Sequence, residues 1–155
     1  MVRLSDLPDY EREHLAGKAL PPLSPAAWIS PDKPLETLRI ALITTAGLHL
    51  RHEPSFAFTD AGFRPIAAET DARNLVMSHS SANFDRSGFV EDVNLVFPID
   101  RFRELETTGR IGSLASIHYS FMGAGLSPDA YEDSATQVAG LLKQDKVDAV
   151  FLTPV

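Results

Sequence analysis

Two histidines stand where an imidazole could move a proton. His79 opens the polar stretch Ser78-His79-Ser80-Ser81-Ala82-Asn83-Phe84-Asp85-Arg86, and His118 lies within Ile117-His118-Tyr119-Ser120-Phe121. Imidazole titrates nearest neutral pH, which makes both acid/base candidates. His118 is flanked by apolar residues, so its structural reading is a satisfied core histidine. His49 and His52 could join His79 as ligands of zinc or iron, but their spacing matches no metal motif. From Ser78 to Asp100, with Arg101 next, His79, Asn83, Asp85, Arg86, Asp92, Asn94 and Asp100 crowd together. A packed core does not leave such groups unpaired. Either they build a site, or Asp85 and Asp92 cap turns and pair with Arg86 or Arg101. No P-loop, G-x-G-x-x-G, H-E-x-x-H or G-x-S-x-G signature occurs. The chain has no cysteine, which removes disulfides, thiolate nucleophiles and cysteine metal sites from these residues.

The elements that must position these groups fit in one globular domain: 155 residues with 44% hydrophobic content are enough for a real core. The net charge of −7 disfavours phosphate backbones, and Arg101, Arg103 and Arg110 are interleaved with Glu104 and Glu106. Nucleic acid is therefore not expected as a partner, while a local pocket for a small anion remains open. The N-terminus turns acidic at once, and no stretch approaches the ~20 apolar residues of a membrane span. A cytoplasmic protein without a membrane partner is expected.

Residues 1–37 read as an arm: a short helix capped by Ser5 or Asp6 and stopped at Gly17, then an irregular path set by Pro21, Pro22, Pro25, Pro31 and Pro34. Trp28 sits among these prolines as a packing staple. The domain proper, residues 38–155, begins with Leu38-Arg39-Ile40-Ala41-Leu42-Ile43-Thr44-Thr45-Ala46-Gly47. A near-continuous apolar run ending in small residues predicts a strand buried on both faces, with its exit at the carboxyl edge of a sheet. Residues 48–62 show no helical period and read as a long loop. Phe63–Ala67, Asn74–Ser78 and Leu114–Met122 are strand candidates. Ile99, Phe102 and Leu105 mark a short helix between Pro98 and Gly109. Ser127-Pro128 starts another helix, with a stripe of Ala135, Val138, Leu141 and Leu142. Val147–Val155 is the last strand, and helix followed by strand is half of a βαβ unit. The fold expected is α/β, a mostly parallel open sheet flanked by helices and preceded by the proline-rich arm. Ligands of such sheets bind outside the carboxyl ends of the strands, where this strand stops.

Four segments in order carry a resemblance. They are Ser78–Arg86; Asp92-Val93-Asn94-Leu95-Val96-Phe97-Pro98-Ile99-Asp100-Arg101; Ile111-Gly112-Ser113-Leu114-Ala115 with His118–Gly123; and the terminal Val147–Val155. Together with Thr44-Thr45-Ala46-Gly47-Leu48-His49-Leu50-Arg51, they resemble the selenoprotein B family of glycine/sarcosine/betaine/D-proline reductases, particularly its short proteobacterial members. The likeness covers about residues 38–155.

The resemblance implies selenocysteine, or sometimes cysteine, directly after the strand ending Thr153-Pro154-Val155, with a second cysteine shortly beyond. Because the selenocysteine codon is ordinarily read as stop, the chain is expected to be cut short at Val155 and inactive as written. The implied chemistry is reductive cleavage of a C–N bond in an amine or amino-acid substrate. A selenolate attacks the carbon bearing the amine, a pyruvoyl group on a partner subunit activates the amine, and a thiol-based donor returns the electrons. Within the present residues, Thr153, Pro154 and Val155 would position the nucleophile, and His79 and His118 would protonate the amine or stabilise the selenolate. Arg86 or Arg101, with Asp85 and Tyr119, would bind the substrate. A strand left uncovered should expose apolar surface, so self-association is expected. Two other readings stay open: a non-redox small-ligand binding or interaction module, and a metal-dependent hydrolase using His49, His79 and His118.

Overall fold

The computed structural model describes residues 3–17, 29–81 and 86–155. Trp28, Asp85 and the prolines at 21, 22 and 25 lie outside the described residues. The chain divides into two compact units, Met1–Ser30 and Pro31–Val155. The first carries a helix, α1 (Asp9–Ala16), ended at Gly17 as expected. Its start differs from expectation. Asp6 turns its carboxylate back to the N–H of Arg3 at 2.9 Å, and the extended Pro8 precedes the helix instead of a polar cap.

The second unit is built on β1 (Arg39–Thr44). It pairs in parallel with β5 (Ser113–Leu114) at its start, with β6 (Ile117–Phe121) at its end, and with β7 (Ala149–Thr153) along its length. Ile40 faces both Leu114 and Ala149, and Ile43 both Tyr119 and Leu152. A strand has two edges, so β5 and β6 share one and β7 holds the other. β3 (Phe63–Ala67) closes the far side, antiparallel to β6. The sheet is thus mostly parallel with one antiparallel edge strand, and Pro65 is tolerated in β3 because it sits at that edge. The fold class is the α/β one the sequence implies.

Alternation along β1 sorts the two faces. Ile40 and Leu42 join Phe97, Ile99 and Phe102 in the larger core, under α3 (Ile99–Thr107), which follows the short helix α2 (Ser87–Glu91). Ile43 packs with Tyr119, Phe121 and Val138, under α4 (Glu132–Gln144). The connection β6–α4–β7 completes the crossover expected between parallel strands. α3 lies where the spacing of Ile99 and Phe102 places it, with Gly109 just past its end at φ +67°. The Ser127-Pro128 start holds in position, but the Ser127 hydroxyl makes no cap. A 3-10 turn, Pro128–Tyr131, comes first, and the Ser127 carbonyl accepts the Ala130 N–H at 3.1 Å.

Two expectations about the strands also need correction. The segment 48–62 is not a loop throughout: β2 (Leu48–Leu50) pairs antiparallel with β4 (Leu75–Met77) in a separate small sheet. The strand expected over Leu114–Met122 is broken at Ala115–Ser116. There the Ser116 N–H leaves the sheet for the Asp145 carboxylate, 2.6 Å away. At the opposite end of β1 from its glycine, Arg39 ties the amino edge together, donating to Leu114 O at 2.6 Å, Asp145 O at 2.8 Å and Asp145 Oδ1 at 2.6 Å.

Candidate functional site

The carboxyl ends of β1, β6 and β7 converge on a small set of backbone and hydroxyl groups. Thr45 follows β1, and its Oγ1 accepts the N–H of Val155 at 2.8 Å, so the end of β7 is pinned to the end of β1. The Thr45 N–H in turn donates to the Thr153 carbonyl at 3.2 Å. Two glycines allow the close approach. A Cβ on Gly123 would fall 2.4 Å from the Cβ of Thr45, and Gly123 itself sits at φ +74°. A Cβ on Gly47, at φ +64°, would fall 2.9 Å from the backbone N of His79. Gly47 also donates to Phe121 O at 2.8 Å and accepts from the Ser78 N–H at 2.9 Å. The turn after β1 thereby fixes the chain at Ser78 and His79 beside the sheet edge.

His79 is buried there. The Ser81 N–H donates to its Nδ1 at 3.3 Å. Burial pushes its pKa below the ordinary imidazole value, and the charge of Arg86 adds to the effect. The Arg86 guanidinium donates to the carbonyls of His79 and Ser81, so it braces the loop carrying His79. Ser80 donates to Met122 Sδ at 3.1 Å, tying the same loop to the end of β6.

His118 belongs to a different layer. Its ring fills the gap left where β5 and β6 part: Nδ1 accepts the N–H of Leu42 at 3.1 Å, in place of a strand carbonyl. The ring is fully buried, edge-on to Phe97 at 5.8 Å between centroids. Burial pushes its pKa down to about 4, with Arg103 and Arg39 acting in the same direction against Asp145. At neutral pH it is a neutral acceptor that holds the sheet together, a poor proton donor to anything at the edge.

The remaining candidates do not gather at the edge. Arg101 is exposed on α3 and pairs with Glu104 at 3.1 Å. Tyr119 is buried on the α4 face against Phe63, with 5.6 Å between ring centroids, and burial raises its phenol pKa. Asp85 lies outside the described residues. Much of the polar crowding after residue 90 is local capping: Asp92 accepts the Asn94 N–H at 2.9 Å, and Asn94 Oδ1 accepts the Asp100 N–H at 3.0 Å. Arg103 spans Asp100, Ala68 and Thr70. Among the described residues no three His, Cys, Asp or Glu side chains stand together as a metal site, and the hydrolase reading loses its basis.

Sequence reading missed two features of this edge. One is the Thr45 hydroxyl as the anchor of Val155, which only the register of β1 with β7 reveals. The other is a contact between His49 and Ser78, whose signal was the alternation Leu48-His49-Leu50 facing Leu75-Val76-Met77. Beside the edge, a groove of about 610 Å³ runs between α4 and the sheet, lined by Ile43, Thr45, Phe121, Tyr131, Val138 and Leu152. From β7 it takes Val150 and Leu152, 38% and 65% exposed, while Phe151 turns to the other face of the sheet against Phe102, with 5.0 Å between ring centroids. Among the described residues no helix is long and apolar enough to cross a membrane.

Residues 18–155 match the family described as Glycine/sarcosine/betaine reductase selenoprotein B (GRDB). The chain is 34% identical over 136 residues to D-proline reductase subunit gamma of Acetoanaerobium sticklandii, covering 86% of this chain and 55% of that protein. It is 30% identical over 125 residues to glycine reductase complex component B subunit gamma of Carboxydothermus hydrogenoformans, covering 78% of this chain and 29% of that one. Against betaine reductase complex component B subunit beta of Peptoclostridium acidaminophilum the identity is 29% over 128 residues, covering 80% and 29%. The chain therefore spans about half the length of the first relative and less than a third of the other two. No solved structure matches it. The family match covers the whole second unit and the end of the first, so the chain belongs to the glycine/sarcosine/betaine reductase selenoprotein B family.

Proposed function

We propose that this chain forms the nucleophile-positioning part of a reductase subunit that cleaves the C–N bond of a glycine-, sarcosine-, betaine- or proline-like amine. The observation that carries the reading is the 2.8 Å bond from the Val155 N–H to Thr45 Oγ1. It fixes the backbone at the carboxyl edge, where open α/β sheets act on their ligands. A residue following Val155 would start from that fixed point, beside the His79 loop. In this proposal a selenocysteine or cysteine there supplies the soft nucleophile, and a pyruvoyl-bearing partner subunit supplies activation of the amine. Thr45, Thr153 and Pro154 set the direction of the strand end, and His79 exchanges the proton of the leaving amine. Arg86 acts through the His79 and Ser81 carbonyls it holds. The relatives' names, which describe subunits and components of complexes, support an assembly with other chains; a cytoplasmic setting and a dithiol donor complete the proposal.

As written the chain has no cysteine, so it is proposed to be inactive alone in the redox reaction. The test is to read the gene past codon 155, produce the protein through any in-frame UGA or cysteine codon, and measure amine release. Glycine, sarcosine and betaine serve as substrates for amine release, with a dithiol as reductant. D-proline, whose C–N cleavage opens the ring without releasing an amine, is followed by its ring-opened amino acid. Release that disappears when the new residue is replaced by alanine supports the reading. A true stop followed by an unrelated gene overturns it in favour of a non-redox ligand-binding module.

A further inference from the structure

His49 sits in the middle of β2 and is 3% exposed, with the Phe56 ring edge-on at 6.4 Å. Its Nδ1 lies 2.8 Å from the carbonyl oxygen of Leu50. A carbonyl only accepts, so Nδ1 carries the proton and Nε2 presents a lone pair. That lone pair meets Ser78 Oγ at 2.7 Å, and the hydroxyl is therefore the donor. The Leu50 carbonyl is itself held, since it also accepts the Glu53 N–H at 2.9 Å in the turn after β2. The tautomer is thus set by a fixed group rather than left to choice. A hydroxyl, a base within hydrogen-bond reach and a third group orienting the base are the parts of an activated nucleophile. Ser78 is only half-buried, and its N–H donates to Gly47 O, two residues beyond Thr45.

We propose that Ser78 and His49 form a proton-accepting dyad at the carboxyl edge. For its physiological donor, the N–H-bearing ammonium group of a glycine-, sarcosine- or proline-like substrate, the proposal rests on the reductase reading. Ser78 Oγ takes one proton from the ammonium while its own proton passes to His49 Nε2. The products are a neutral amine with a free lone pair, an intact serine hydroxyl and an imidazolium whose Nδ1–H stays on Leu50. No bond to carbon changes and no oxidant or reductant is needed.

The same pull on the Ser78 proton makes its oxygen reactive toward an electrophile, which allows a test that needs neither a nucleophile beyond Val155 nor a partner. Folded protein is treated with a fluorophosphonate. The Ser78 Oγ–P bond forms, the P–F bond breaks, fluoride leaves and the proton goes to His49. Mass spectrometry is expected to find about one label per chain, at Ser78, and none in protein unfolded by urea. Ser78→Ala removes the label, and His49→Gln slows it by about 10²–10⁴-fold. Absence of Ser78 labelling in the folded wild-type chain overturns the dyad, as does equal labelling in urea, and both results hold even if His49→Gln fails to fold. Either result leaves amine release by the extended protein untouched, so this failure and that of the reductase reading are separate.

Discussion

If His118 is a neutral acceptor that closes the gap between β5 and β6, its titration must appear in the stability of the protein. Unfolded, the imidazole titrates near 6.5; folded, burial holds it near 4. Above pH 6.5 neither state is protonated at this residue, and the full stability is present. As the pH falls from 6.5 toward 4, the unfolded chain takes up a proton that the folded one refuses, so stability drops. At about 1.36 kcal/mol per pH unit, the whole window is worth roughly 3 kcal/mol. His79 is shifted the same way and steepens the curve. The depressed carboxylates, Asp71 at about 2 and Asp92, Asp145 and Asp148 also lowered, act mainly at lower pH. The difference between wild type and a His118 variant therefore isolates this ring. His118→Asn places an amide oxygen near the position of Nδ1 and keeps an acceptor for the Leu42 N–H, without a titrating group. His118→Leu removes the acceptor, and an unpaired buried N–H costs about 1–3 kcal/mol at pH 7.5. Urea unfolding followed by far-UV circular dichroism, in half-unit steps of pH from 8 to 4.5, measures all three proteins. The expected result is a wild-type curve that falls toward the flatter His118→Asn curve as the pH drops. A constant gap between those two curves across the window refutes the assignment of His118 as a neutral structural acceptor.

Thr45→Val removes the hydroxyl that holds Val155; at about 1 kcal/mol for the bond, amide exchange at Val155 accelerates roughly fivefold while β1 stays protected. Gly47→Ala forces a side chain into a left-handed backbone and against the His79 N–H, and a loss of about 1–3 kcal/mol appears as a lower Tm. Arg39→Ala opens the amino edge and costs about 2–3 kcal/mol in urea unfolding at pH 7, leaving Ser78 labelling per folded chain unchanged. For Asp145, desolvation opposes the shift, but the bonds from Arg39 and Ser116 hold its pKa below the usual carboxylate range. Its share of the stability is present above that range and is lost as the pH falls through the folded value, so the Arg39→Ala deficit shrinks in acid.

What the sequence discloses depends on how local the cause is. β1 is legible because its own residues carry the pattern: an apolar run buried on both faces, ended by Thr45-Ala46-Gly47. α3 is legible from Ile99 and Phe102 at a spacing of three. β2 is not, because an alternation of only three residues is too short to stand alone, and their partner Leu75–Met77 lies beyond an intervening strand. The polar stretch after Ser78 misleads for the opposite reason. Asp92, Asn94 and Asp100 satisfy one another and the adjacent helix starts, so their density records capping rather than chemistry.

The two histidines singled out by type show why a site is harder to read than a fold. His79 and His118 look alike in sequence, each with a serine two residues away, yet one reaches the edge loop and the other is drawn into the sheet. The difference is made elsewhere. Asp145, at the end of α4, takes the N–H of Ser116, the strand breaks, and the buried donor of Leu42, left without a strand carbonyl, bonds the ring of His118. No property of residues 117–121 encodes that event. His49, by contrast, reads in the sequence only as a metal ligand, because its partner Ser78 is brought to it by the β2–β4 pairing. Helices, strands and the edge at which chemistry belongs follow from local pattern and chain topology. The assignment of each imidazole nitrogen follows from pairings between distant segments, and those pairings decide which histidine supports the sheet and which can take a proton.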